Sequence, residues 1–110
     1  MDELPILDRA RLELITRGNA ALADEFLGVL FVEAEELLAR LGADIAGSDR
    51  LAVSGGAHTL KGMATELGAQ RLRAAAAALE AQPQHGQWPH LLEKIKASLA
   101  ELRVHLGDRD

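Results

Sequence analysis

His58 and Lys61 stand three residues apart in the run AVSGGAHTLKGMATELG, whose other members are mostly small. An imidazole is a good nucleophile near neutral pH. An ammonium on a flexible stem can reach over it and neutralise the oxygens of a phosphoryl group carried on the ring. Such chemistry needs both side chains on one solvent-facing surface. Val53, Ala57, Leu60, Ala64 and Leu67 recur at steps of 4, 3, 4 and 3, which makes one face of a helix apolar and buried. At about 100° per residue, His58 falls about 140° from the centre of that stripe. Its neighbours on the outer face are Ser54, Lys61, Gly62 and Thr65, none of them large and apolar.

A solvent-facing histidine or lysine is by itself an ordinary surface residue. The glycines make this surface less ordinary, because each costs about 1 kcal/mol relative to alanine in a helix interior. Gly62, one turn beyond His58, removes a side chain that would keep a partner away from the imidazole. Gly56 lies toward the buried side and suits close helix packing. Gly55 has no specific explanation in the sequence, and the Gly55 and Gly56 pair can also mark a kink.

The elements that must position this surface read as helices throughout. Apolar residues recur at helical spacing, strict alternation is absent, and β-branched and aromatic residues are sparse, so the fold class is all-α. Asp8 caps a short first helix over Arg9–Thr16, with Gly18 placed to end it in the left-handed conformation. Asn19 caps a long second helix with Leu22, Phe26, Val29, Leu30, Leu37, Leu41 and Ile45 as its inner stripe, ending near Gly47. Ser48 and Asp49 offer caps for the helix that carries His58, and Gly68 stops it. A fourth helix over residues 70–82 turns Leu72, Ala76 and Leu79 inward and contains an alanine run at 74–78. The segment PQHGQWP reads as a linker. Trp88, Leu92, Ile95, Leu99, Leu102 and Leu106 then define a last helix. An antiparallel four-helix bundle with a short additional N-terminal helix is expected, formed by one domain over residues 1–110.

Composition removes several function classes. There is no cysteine, hence no disulfide framework, thiolate metal site or thiol nucleophile. A net charge of -5 disfavours a nucleic-acid ligand, and no apolar stretch approaches the roughly 20 residues that span a bilayer. The start MDELPILDRA lacks the pattern of a signal peptide, so the expected location is the cytoplasm and the expected partner a protein. His85, His90 and His105 share no helical register with His58 and compose no zinc site; no bound metal is expected. No phosphate loop surrounds Lys61 and no Gly-x-Ser-x-Gly elbow is present, which disfavours an autokinase and a hydrolase. The stripe of the last helix is accounted for by the bundle core, so a monomer is expected.

The run AHTLKGMATELGAQRL, residues 57–72, resembles the signature of the histidine phosphotransfer domains of multistep phosphorelays. His58, Lys61, Gly62, Gly68 and Leu72 are the matching positions. ILDRARLELITRG, DEFLGVLFVEAEELLARL and LEAQ resemble the leading helix, the second helix and the end of the fourth. Met63, where a small residue is usual, and the Gly55 and Gly56 pair depart from the pattern. The resemblance implies a phosphoryl group on His58 Nε2, taken from a receiver-domain aspartate and passed to another response-regulator aspartate. Hybrid sensor kinases and receiver domains are the partners implied, with Lys61 and Gly62 at the contact; Ser54 and Thr65, on the same outer face of the helix, are expected to join them. It also implies that a Glu or Gln of the following helix holds the histidine Nδ1, and Glu80 lies at the matching separation. A carboxylate accepting from Nδ1–H leaves the Nε2 lone pair free to attack. The Mg²⁺ that such a transfer requires belongs to the receiver's carboxylates, so this chain is expected to bind no cofactor. A helical adaptor that binds through the His58 face without phosphorylation is the alternative.

Overall fold

The structure is a computed structural model that describes residues 4–107, so both ends of the expected 1–110 domain lie outside the described residues. It is all-helical: α1 (Arg9–Thr16), α2 (Ala20–Ala46), α3 (Arg50–Leu67), α4 (Gln70–Ala81) and α5 (Trp88–Gly107), with a 3₁₀ turn over His85–Gln87. The connections are short and fold each long helix back along its predecessor. The contacts of Gly56 with Leu41, His58 with Glu80, and Arg71 with Glu101 each join residues equidistant from a turn, as antiparallel packing requires.

Three helix starts follow from short polar side chains. Asp8, Asn19 and Asp49 each accept a hydrogen bond from the backbone N–H three residues on, at 3.0 to 3.1 Å. Asp49 alone therefore caps α3. Ser48 is instead the left-handed residue (φ 53) that ends α2, with Ser48 N–H bonded to Ile45 O and Asp49 N–H to Asp44 O. Gly47 precedes that position and is right-handed. At the end of α1 the left-handed stop begins at Arg17 (φ 54), one residue before Gly18. In both turns the glycine lies one place from the residue at which the chain first turns left-handed.

Gly68 ends α3 as expected, and it also admits α1. At φ 82 it is left-handed, and a Cβ there would lie 2.8 Å from Asp8 O. Asp8 N–H donates to Gly68 O at 2.7 Å, Gln70 Nε2 to Asp8 Oδ2 at 3.3 Å, and Arg11 Nε to Glu66 O at 2.9 Å. The leading helix is thus fastened to the turn between α3 and α4. Gly56 has the packing role its position indicated, since a Cβ there would meet Leu41 Cδ2 at 2.9 Å.

The core runs the length of the bundle from Leu7 to Leu102. In α2 it differs from the expected stripe. Val29 is 51% exposed, whereas Ala23, Leu27, Ala34 and Leu38 are buried beside Leu30, Leu37 and Leu41. The reason is that α2 packs against both α3 and α5, which moves the centre of its buried face away from Val29. The stretch PQHGQWP also does more than link. Trp88 is buried, donates from Nε1 to Gln82 O at 3.0 Å, and stacks on the His85 ring at 4.1 Å between centroids. Gln82, preceding a proline, is extended, which ends α4 at Ala81.

Gly68→Ala should lower stability by about 2 kcal/mol or more, from left-handed strain and the clash with Asp8. Gly28→Ala, in a helix with open space around the position, should raise it by up to about 1 kcal/mol. Urea unfolding of both variants beside the wild type measures the two effects.

Candidate functional site

Leu60 and Ala57, both fully buried, fix the rotation of α3, and His58 consequently stands outward with 68% of its side chain exposed. On α4, Leu79 is buried, so Glu80 emerges at the edge of the interface between the two helices. Small residues line that interface: Ala57 and Ala64 from α3 and Ala76 from α4 are fully buried, which lets the backbones come close.

The outcome is a three-residue cluster on one carboxylate. Glu80 Oε2 lies 2.8 Å from His58 Nδ1, and Glu80 Oε1 lies 2.6 Å from Lys61 Nζ. A carboxylate only accepts, so Nδ1 carries the donated proton and, in the neutral ring, Nε2 carries the lone pair. Nε2 is on the edge of the ring turned away from Glu80. The Lys61 ammonium, and after it the His58 ring, hold the Glu80 carboxyl below its ordinary value of 4.5, with partial burial acting in the opposite direction. With the side chain only 24% exposed, water screens the pair incompletely.

The other expected residues surround this cluster without joining it. Gly62 is exposed with open space where a Cβ would be. The Thr65 hydroxyl donates to Lys61 O at 2.7 Å and is committed to its own helix. Ser54 lines a shallow cleft of about 180 Å³ together with Arg50, Leu51, Glu80, Gln82 and Trp88. Leu51 was not among the expected face residues. It is 85% exposed two turns before His58, and the i−7 relation to the histidine was the available signal. Gly55, exposed and open, is on the same ridge. His85 stacks on Trp88, and His105 Nε2 accepts from Arg9 at 3.2 Å, so neither belongs to the cluster. Among the described residues no three His, Cys, Asp or Glu side chains are grouped to hold a metal ion, and no helix is long and apolar enough to cross a membrane.

Fold and cluster together define a class: a helical bundle that displays one solvent-facing histidine tethered by a carboxylate from the neighbouring helix. The Hpt domain family matches this chain over residues 25–105, and the chain belongs to that family. Its role is accordingly histidine phosphotransfer in phosphorelays, in which Hpt domains work with receiver domains and kinases. The crystal structure of histidine-containing phosphotransfer protein B (HptB) from Pseudomonas aeruginosa PAO1 is similar in fold. The TM-score is 0.85, and the likeness covers 97% of this chain and 96% of that one at 24% identity. None of the curated protein sequences compared with the chain matches it.

Since the folded protein holds Glu80 more acidic than the unfolded chain does, the stability linked to its ionisation is in place above pH 4.5. It is lost as pH falls from there through the lowered folded value. A carbon-13 NMR titration of the Glu80 carboxyl should give a midpoint below 4.5 that rises in Lys61→Gln.

Proposed function

We propose that the chain is a phosphorelay intermediate whose phosphoacceptor is His58 Nε2. The Nε2 lone pair forms the N–P bond as the P–O bond to a receiver-domain aspartate breaks, and the electron pair leaves on the aspartate carboxylate. The reverse step, on another response regulator, returns the group to an aspartate. The observation that carries this is the 2.8 Å contact of Nδ1 with Glu80 on a ring that is otherwise in solvent. It leaves the nucleophilic nitrogen outward and the ring orientation fixed before a partner arrives, so little reorganisation remains for the encounter.

Each neighbour has a role in this scheme. Glu80 orients the ring and stabilises the positive charge the ring acquires on attack. Lys61 balances charge on the phosphoryl oxygens. Ser54, Gly62 and Thr65 form the rim on which the receiver's active-site wall rests. The receiver's own carboxylates hold Mg²⁺; this chain contributes no cofactor, does not phosphorylate itself from ATP, and acts as a monomer in the cytoplasm.

The test is transfer of label from a phosphorylated receiver domain to the wild type and to His58→Gln. An acid-labile, base-stable label on the wild type and none on the variant is expected. No label on the wild type with several receivers would favour an adaptor that binds through the same face. Gly62→Ala separates docking from folding: it should raise stability by up to about 1 kcal/mol and slow transfer at least several-fold. Gly28→Ala should produce only the first effect.

A further inference from the structure

We infer that Lys61 exchanges partners during the phosphorelay cycle and that Glu80 controls the exchange; this rests on His58 being the phosphoacceptor. At rest both oxygens of Glu80 are engaged, Oε2 by His58 and Oε1 by Lys61. The ammonium, 2.6 Å from Oε1, is held toward α4, and the Lys61 side chain is only one-third exposed, half the exposure of the His58 side chain beside it. A phosphoryl group bonded to Nε2 lies on the opposite edge of the ring from Nδ1 and hence on the side away from Glu80. In its resting position Lys61 therefore serves the carboxylate and not the phosphoryl group.

Transfer alters that balance. When Nε2 gives its lone pair to phosphorus, Nδ1 keeps its proton and the ring becomes cationic, while about two negative charges arrive on the phosphoryl oxygens. Glu80 now faces a charged Nδ1–H donor and no longer depends on Lys61 for neutralisation. Lys61 is one turn from His58 with a flexible stem, so it can turn from Oε1 to the phosphoryl oxygens without any backbone movement. Glu80 thus trades one cation for another. The resting pair with Lys61 is the part of the trade that opposes phosphorylation, and it keeps the group easy to pass on. Glu80 is in this respect a positioning residue for Lys61 as well as for His58.

Four proteins test this: the wild type, Glu80→Gln, Lys61→Gln and the double variant, each with folding checked by circular dichroism. Each is mixed with one phosphorylated receiver domain, and the label on His58 and on the receiver aspartate is measured once exchange has equilibrated. The factor by which Glu80→Gln changes the partition in favour of His58 should be roughly threefold larger when Lys61 is present than when it is glutamine, the size expected of losing a partly exposed ion pair. A Glu80 that only supports the fold or the ring orientation changes the partition by the same factor in both backgrounds, and that result would overturn the exchange of partners. A wild type that takes no label overturns the phosphoacceptor role itself, so the two failures are distinguishable.

Discussion

Alanine sets the distance between α3 and α4, and the rest of the site depends on that distance. Ala57 and Ala64 on one helix and Ala76 on the other are fully buried among the larger Leu60, Leu72 and Leu79, and the two helices pack closely along their length. Glu80 can then reach a ring and an ammonium on the neighbouring helix with one carboxylate, at 2.8 and 2.6 Å. A leucine at Ala76 would push the helices apart, and neither contact would survive, although no charged group would have been touched. Polar geometry here is a consequence of apolar volume.

The turn beyond those alanines fixes the register. Gly68 and Ala69 close α3 with a left-handed residue and bring α4 back at once, so that residues equidistant from the turn face each other. Asp8 locks the same turn from outside, capping α1 with Oδ1, accepting from Gln70 with Oδ2 and donating its N–H to Gly68 O. One aspartate therefore joins the leading helix to the two that carry the site. Because Gly68 lacks a Cβ, the backbones meet directly, and the alignment of His58 with Glu80 is inherited from main-chain hydrogen bonds.

What could be read from the sequence follows from which interactions are local. The 4, 3 spacing around Ala57 and Leu60 was enough to place His58 outward, since a helix face is a local property. The pairing with Glu80 was not local: it spans two helices and needs the turn geometry, and only the resemblance to a family pointed to it. The engagement of Lys61 by Glu80 was hidden for another reason, because a lysine stem reaches several partners and its rotamer is chosen by charge. In α2 the periodicity runs through Val29, which is exposed, because a single periodicity cannot show that a helix has two neighbours. Pro83 and Gly86 made the stretch before α5 look like a plain connection. Trp88, whose indole N–H needs an acceptor and finds Gln82 O, turned it into a fixed corner.

That corner gives the molecule an internal optical probe. Trp88 is the chain's one tryptophan, and there is no tyrosine, so its near-ultraviolet emission has a single source. The indole is buried and lines the same cleft as Ser54 and Glu80. Its emission therefore reports from the edge of the cluster that Glu80 forms with His58 and Lys61, and a change in charge or hydration beside Glu80 registers in the fluorescence of the unlabelled protein.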